Sequence, residues 1–554
     1  MSVAPSSTIT EQVQSVDLDG PAARWRWLLL PAFLAALPAL AMAIVELAHI
    51  GSPSEPVGDL ALLARDADRA LHGELLLGPY SRFGWNHPGP ALSYWLAPFW
   101  WASGHHYGGL GMGAAVLSAL MLALIVLAVG RTVGRRAAWA TSAVLVCFCW
   151  TYGVGRLREP WNPAAVILPL VVVAVAGAAA AAGRRWWLTW CAVAATLALQ
   201  AHVGSAPVLG GFVTVTALVG LLGHLRSGRA IQRWWAPSLV TLALLGVMWM
   251  PPLAQQVFDG KGNMSELTRF ITESPTPHHT WTSIWGPAER LAPLTVPGYG
   301  TLIGGTGPGP GQPRLFDRAV LVMLGAGLVV GTARAIVRRL RFGGALAAAG
   351  LVGAPLAIVA AYRIQYVIYP YLLFSVVSVG LVAWVSLAVT VSGLAEGPLD
   401  RPTPKHRHGR RSASWRVKAR AAALPGLVVM ASVAIAVSAA GTTPSGPLRN
   451  DPEVGRLSER IRSLPHGRTP QVMVQFDQDH WPLGAGIVRD LEAHGYRTSV
   501  PVPWRYMFGS QARVTGHEQI RFVVTSSGAR HPPARDTDLL VTSDHGVSLY
   551  VGPP

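Results

Sequence analysis

Residues 58–101 read GDLALLARDADRALHGELLLGPYSRFGWNHPGPALSYWLAPFWW. This stretch follows the first long apolar segment and holds the densest mixture of carboxylates, His, Arg, Tyr and Trp near any predicted membrane span. About eleven apolar segments surround it and have the composition of a scaffold. We therefore expect any chemistry that this protein performs to begin in residues 58–101.

The composition indicates a polytopic helical membrane protein. Of the 554 residues, 51% are hydrophobic and 13% are charged, and the mean hydropathy is +0.36. Apolar runs of about 18 or more residues recur, and a helix of that length crosses the hydrocarbon core of a bilayer. Cys147, Cys149 and Cys191 all lie in such runs, so they predict neither a disulfide framework nor a zinc site.

The distribution of basic residues predicts the orientation. With eleven spans, the five short connections rich in Lys and Arg fall on the same side as the N-terminus, and the positive-inside rule makes that side the cytoplasm. The net charge of +17 then needs no nucleic-acid partner, because much of it faces anionic lipid headgroups. The predicted spans lie near residues 27–49, 110–130, 138–155, 163–182, 187–203, 206–223, 235–252, 319–338, 344–361, 366–391 and 422–440.

The chain divides into a membrane part and a soluble part. The predicted regions are a disordered cytoplasmic N-terminus at 1–23, a transmembrane domain at 24–440 with outer loops at 51–109 and 253–318, a linker at 441–452, and a soluble extracytoplasmic α/β domain at 453–554. The soluble domain would bind carbohydrate or cap the membrane core, and we favour the cap. Its predicted elements are helices at 452–463 and 483–494 and strands at 471–476, 497–502, 520–525, 538–542 and 547–551.

Two acids in the quoted stretch stand out as candidates. Asp59 and Asp66 are seven residues apart on a predicted short helix along the membrane surface, so they share a face, whereas Asp68 points elsewhere. Asp59 is nearest the end of the first span, where a carboxylate can reach a lipid-borne headgroup. The alternative is that these are solvated acids on an exposed helix.

A Pro-containing turn follows these acids. Pro88 and Pro90 interrupt any helix, and the aromatic run from there to Trp101 is too short to span a bilayer, so it predicts an interfacial helix. The turn holds Arg82, Asn86 and His87 near the interface, where Arg and His can bind a phosphate. The alternative role of the turn is interfacial anchoring alone.

The quoted stretch and the predicted topology resemble the GT-C superfamily of membrane glycosyltransferases, which includes the aminoarabinose transferases and protein O-mannosyltransferases. Members carry an acid soon after the first span, then an interfacial loop ending in a His-Pro-Pro-like or Lys-Pro-Pro-like turn with aromatic residues. Asp59 has the place of the acid, and NHPGPALSYWL matches the turn. Gly89 interrupts the Pro pair, and Leu60 stands where a second acid is often found. The resemblance covers roughly residues 25–390.

The resemblance implies that polar residues at the outer ends of several spans converge on one cavity. Arg158 and Glu159 follow the third span, His202 ends the fifth, and Arg363 and Tyr366 precede the tenth. Ionisable groups at such depths are functional candidates by default. The candidate substrate-binding residues are Asp66, Tyr80, Arg82, Asn86, His87, Arg158, Glu159, His202, Arg363 and Tyr366.

The resemblance further implies sugar transfer from a polyprenyl-phosphate donor to a glycan, lipid or protein of a bacterial cell envelope, on the outer side of the inner (plasma) membrane. Asp59 would be the catalytic base, while Arg82, His87, Arg158 and Arg363 would stabilise the phosphate. No cofactor or metal is predicted, and no motif indicates a soluble nucleotide donor. The alternatives are a transporter or flippase of lipid-linked envelope precursors, and an inactive GT-C-like scaffold.

Overall fold

A computed structural model describes residues 23–52, 54–227, 234–258, 262–275, 279–295, 312–394, 415–442, 451–464, 470–509, 512–526, 537–542 and 546–553. Residues 1–22 of the predicted disordered N-terminus and residues 443–450 of the predicted linker lie outside the described residues. The described chain forms a helical membrane domain followed by a small α/β domain. This arrangement confirms the predicted fold class.

The membrane domain contains a helix at each of the eleven predicted spans. Of the helices in the described ranges, nine are long and apolar enough to cross a membrane, and Trp187–Ala201 is a shorter apolar helix. The helices are α1 (Ala23–Ala48), α2 (Gly58–Leu71), α3 (Ala91–Ala102), α4 (Tyr107–Thr132), α5 (Arg135–Tyr152), α6 (Asn162–Ala165), α7 (Ile167–Ala181), α8 (Trp187–Ala201), α9 (Ala206–Ser227), α10 (Trp235–Phe258), α11 (Asn263–Glu273), α12 (Trp281–Leu291), α13 (Leu315–Arg338), α14 (Arg341–Tyr362), α15 (Phe374–Leu394) and α16 (Trp415–Ala440).

The predicted start of the tenth span is wrong by several residues. Residues 366–373 do not continue α15 towards the N-terminus, because Tyr366 has a left-handed backbone with φ of 60° and Pro370 begins a 3₁₀ turn. A proline also disfavours helical geometry at the residue before it. The segment from Arg363 to Tyr369 therefore forms a loop that precedes α15.

Burial separates the centre of the membrane domain from its lipid-facing periphery. Every residue of α7 is buried, as expected for a helix that is apolar all round and surrounded by others. In contrast, α10 and α13 expose large apolar side chains such as Leu242, Val247 and Val337. In a membrane these exposed faces contact lipid chains rather than water.

The quoted stretch folds as the two predicted short helices joined by a loop. Leu60 and Leu63 of α2 and Leu92 and Leu96 of α3 are buried in the main core of the membrane domain. In the loop between them, Tyr80 and Asn86 form an isolated antiparallel β-bridge. This packing fixes the faces of α2 and α3 relative to the spanning helices.

The C-terminal domain is a five-stranded sheet with flanking helices, as the sequence predicted. The sheet order is β2-β1-β3-β5-β4, in which β1 pairs in parallel with β2 and β3, whereas β5 pairs antiparallel with β3 and β4. Val57, Ala61 and Leu62 complete the apolar core of this domain, so it docks directly on α2. Its elements are α17 (Pro452–Arg462), β1 (Gln471–Phe476), α18 (Trp481–Ala493), β2 (Arg497–Ser499), α19 (Arg505–Phe508), β3 (Ile520–Ser526), β4 (Asp538–Thr542) and β5 (Val547–Gly552).

Candidate active site

A cavity of about 400 Å³ lies between α2, the loop before α3 and the ends of several spanning helices. Apolar and aromatic side chains form much of its wall, among them Leu62, Leu63, Trp85 and Phe270. Ligand sites are commonly lined in this way, with a few polar groups that fix orientation. The predicted site residues that line the cavity are Asp59, Asp66, Tyr80, Arg82, His87, His202 and Arg363.

Asp59 is held on the cavity wall by two hydrogen-bond donors. The Tyr80 hydroxyl donates to Asp59 Oδ1 over 2.5 Å, and Trp161 Nε1 donates to Oδ2 over 3.0 Å. Burial raises the pKa of Asp59, and the hydrogen bonds from Tyr80 and Trp161 partly oppose that rise. The hydrogen bonds fix the carboxyl group on the cavity wall, and the raised pKa makes its carboxylate a stronger base.

Asp66 lines the same cavity two turns along α2, as the shared-face argument predicted. Arg69 Nη1 lies 3.8 Å from Asp66 Oδ1. Burial raises the pKa of Asp66 to about 6, because it outweighs the opposing charges of Arg69 and Arg65. Asp66 therefore titrates near pH 6 and is mostly ionised at neutral pH.

The raised pKa of Asp66 makes protein stability depend on pH. Between the ordinary value of 3.8 and about 6, the folded protein holds the Asp66 proton more tightly than the unfolded chain does. The stabilisation from this proton is complete below pH 3.8 and is lost as the pH rises through about 6. We expect Asp66→Asn to flatten the fall in melting temperature across this window, measured in detergent. If the melting temperature of Asp66→Asn falls with pH as steeply as that of the wild type, the raised pKa of Asp66 is contradicted. Asp59 is present in both proteins, so its own titration does not affect the comparison.

His87 and His202 form a buried pair on the cavity wall, with ring centroids 4.4 Å apart. The backbone N–H of Val203 donates to His87 Nδ1, and that of Gly204 donates to His202 Nδ1. Burial lowers the pKa of both rings, that of His202 to about 4. Both rings are therefore neutral at pH 7 with the proton on Nε2. His87 can therefore donate a hydrogen bond to a phosphate, as a neutral ring and not as a cation.

Two arginines lie at the rim of the cavity. Arg82 Nη2 donates to the carbonyl of Gln365 over 2.7 Å, and Arg363 Nη2 donates to that of Ile271 over 3.3 Å. Both guanidinium groups are exposed. Guanidinium groups are always charged and match the geometry of phosphate oxygens. The rim can therefore attract and hold an anionic headgroup.

Four candidate residues do not line this cavity. Asn86 pairs with Asn263, since its N–H donates to Asn263 Oδ1 and its carbonyl accepts from Asn263 Nδ2, both over 2.8 Å. Arg158 Nε lies 3.2 Å from Glu46 Oε1, and both side chains are buried. Glu159 lines a separate, smaller cavity. Tyr366 is exposed and stacks on Phe83.

Two further residues shape the site but were not singled out from the sequence. Trp161 supplies the second hydrogen bond to Asp59. Asn263 forms hydrogen bonds with the backbone of Asn86, which precedes His87 in the turn. Trp161 lies in the REPWNP segment whose charged residues were noticed, but an indole donor gives no pattern of its own. In the part of the chain that the structure describes, no group of three or more His, Cys, Asp and Glu could hold a metal ion.

The fold of this chain is found among solved structures, as the sequence resemblance predicted. It is similar to the crystal structure of ArnT, an aminoarabinose transferase, from Cupriavidus metallidurans in the apo state, with 15% identity, a TM-score of 0.53, and coverage of 93% of this chain and 97% of that chain. It is also similar to the crystal structure of the same ArnT bound to undecaprenyl phosphate. The identity is 16% and the TM-score 0.52, with coverage of 95% of this chain and 98% of that chain. No protein-family model and no curated protein sequence matches this chain. At these identities the likeness shows the fold.

Proposed function

We propose that this protein transfers a sugar from a polyprenyl-phosphate donor to a hydroxyl acceptor of the cell envelope. The observation that carries the proposal is the Asp59 carboxyl group, held by Tyr80 and Trp161 on the wall of a largely apolar cavity in a GT-C fold. The ArnT structure with undecaprenyl phosphate supports a lipid-phosphate ligand. The rim residues Arg82 and Arg363 provide the positive charge that such a ligand needs.

The reaction would be a displacement at the anomeric carbon. The acceptor oxygen forms a bond to that carbon while the bond from carbon to the phosphate oxygen breaks. Asp59 takes the proton of the acceptor hydroxyl, and the polyprenyl phosphate leaves with the electron pair of the broken bond. Arg82 and Arg363 stabilise the charge that develops on the phosphate, and the Nε2–H groups of His87 and His202 donate to ligand oxygens.

The cavity would open on the outer side of the inner membrane. The Arg-rich connections after α4, α7 and α13 lie at the helix ends opposite those that border the cavity, and the positive-inside rule assigns these ends to the cytoplasm. We therefore expect alkaline phosphatase fused after residue 445 to be active. If instead a reporter that fluoresces only in the cytoplasm is fluorescent when fused at the same point, the orientation is reversed.

The proposal is tested with purified protein in liposomes that contain a polyprenyl-phosphate sugar. We expect release of polyprenyl phosphate together with formation of a glycosylated acceptor. Arg82→Gln and Arg363→Gln should each raise the KM for the lipid donor about tenfold or more, because each removes a charged donor to phosphate. Arg269→Gln is the matched control, since Arg269 is exposed on α11 and pairs with Glu273.

Each other outcome of this assay would overturn part of the proposal. Movement of intact donor across the bilayer without release of polyprenyl phosphate would indicate a flippase. Binding of donor without either transfer or movement would indicate an inactive scaffold. An equal rise in KM for Arg269→Gln would show that the effect reflects general surface charge and not the rim of the cavity.

A further inference from the structure

The C-terminal domain reaches the candidate base through the Tyr80 side chain. The Tyr80 ring lies edge-on to Trp481, with centroids 6.4 Å apart, and to Tyr506, with centroids 5.9 Å apart. Its hydroxyl is the group that donates to Asp59 Oδ1. Edge-to-face aromatic contacts are favourable and restrict ring orientation. Two residues of the soluble domain thus fix the ring whose hydroxyl holds Asp59.

Trp481 also packs against the backbone turn that begins α2. Gly58 has φ of 56°, and a Cβ there would lie 3.3 Å from Trp481 Cη2. The residue that follows this turn is Asp59. The left-handed backbone favours glycine here, and a side chain would also crowd the indole ring. The same tryptophan contacts both the turn before Asp59 and the ring that binds Asp59.

Polar contacts fix the register in which the domain docks on α2. Arg65 Nε donates to Glu492 Oε2 over 2.6 Å, and Thr498 Oγ1 donates to Glu492 Oε1 over 2.6 Å. The backbone N–H of Asp451 donates to the carbonyl of Glu55 over 3.0 Å. Together with the shared apolar core at Val57, these contacts hold the domain at one position along the helix.

The edge of the sheet that faces Tyr80 is the carboxyl edge of the parallel strands. Trp481 follows β1 at the start of α18, and Tyr506 follows β2 in α19. In open α/β sheets, residues beyond the carboxyl ends of parallel strands commonly form functional surfaces. Here that edge is turned towards the Asp59 cavity and contributes aromatic rings to its support.

We propose that the C-terminal domain positions the base: Trp481 and Tyr506 orient the Tyr80 ring so that its hydroxyl stays hydrogen-bonded to Asp59. They are positioning residues, since neither lines the cavity in the described structure. The consequence for turnover rests on the proposed function of Asp59, but the consequence for the ionisation of Asp59 does not. The domain is then part of the active-site framework and does more than cover it.

The test measures the protonation of Asp59 directly in the full-length protein in lipid nanodiscs. Infrared difference spectra recorded across a pH titration report the carboxyl band of Asp59, which is assigned by its absence in Asp59→Asn. Because the Tyr80 hydrogen bond lowers the pKa of Asp59, Tyr80→Phe should move the titration midpoint to higher pH. Tyr506→Ala and Trp481→Ala should move it in the same direction, whereas Tyr506→Phe, which keeps the ring, should leave it unchanged.

A coupling test separates positioning from a general loosening of the domain. In the Tyr80→Phe background, Tyr506→Ala should cause no further shift of the midpoint, because the hydroxyl through which it acts is gone. Trp504→Ala is the matched control, since the Trp504 ring pairs with Phe476 in the same domain and its Nε1 donates to the Phe476 carbonyl. Each variant is accepted only if thermal unfolding shows a folded domain.

Several outcomes would overturn the proposal. An additive shift in the double variant, no shift with Tyr506→Ala, or an equal shift with Trp504→Ala would each show that the aromatic contacts do not act through Tyr80. If the protein transfers no sugar but the coupled shift is observed, the proposed function fails and the positioning holds. If transfer occurs and turnover depends on Asp59 without the coupled shift, the positioning fails and the function holds.

Discussion

Asp59→Asn is expected to insert and fold normally yet lower the turnover number of sugar transfer by about two or more orders of magnitude. The amide keeps the shape of the side chain: its oxygen can still accept from Trp161 Nε1, and its NH2 group can donate to the Tyr80 hydroxyl oxygen. It cannot, however, take up the proton of the acceptor hydroxyl. The assay measures initial rates on a lipid-linked donor in proteoliposomes at saturating donor. Binding of donor should persist, so the loss should fall on kcat rather than on KM.

Asp68→Asn is the matched control on the same helix. Asp68 lies outside the cavity wall, where Trp100 Nε1 donates to its Oδ1 over 3.4 Å and His105 lies 4.0 Å away. Its substitution should leave transfer near the wild-type rate. Near-normal transfer by Asp59→Asn would remove the catalytic role, and a loss confined to Asp66→Asn would assign that role to Asp66.

Helical periodicity was sufficient to predict the pairing of Asp59 with Asp66 and the exclusion of Asp68. A spacing of seven residues returns to the same helix face, and the structure places both acids on the cavity wall. The short strands of the soluble domain could also be predicted from the sequence. At 471–476, the alternation of apolar residues matches the alternating burial of β1. These features depend on residues that are close in sequence.

The remaining parts of the site depend on contacts that sequence spacing does not reveal. Trp161 meets Asp59 across 102 residues of chain, and Asn263 meets Asn86 across 177. No sequence pattern predicts either pair, because a Trp or an Asn near the start of a helix can have many different roles. The charge state of His87 could not be predicted from the sequence either, because it depends on how completely the folded protein buries the ring.

Arg158 shows the same limit for a charged residue. The sequence placed it at the outer end of a span, where it was expected to contact a phosphate, but the structure pairs it with Glu46 of α1. The exposed fraction is 1% for Glu46 and 5% for Arg158. A buried pair of this kind joins the first span to the segment after α5. Its role is therefore better described as structural, and stability measurements distinguish the two roles.

Arg158→Leu is expected to lower the free energy of unfolding by about 3–5 kcal/mol, because it removes one partner of a buried ion pair. The loss should appear as a lower melting temperature in detergent. The double variant Glu46→Leu/Arg158→Leu should recover most of that stability, since replacing both partners of a buried ion pair by apolar side chains is often close to neutral. It should also transfer sugar at nearly the wild-type rate. A stable double variant that binds donor poorly would instead show that Arg158 contacts the phosphate, as the sequence had suggested.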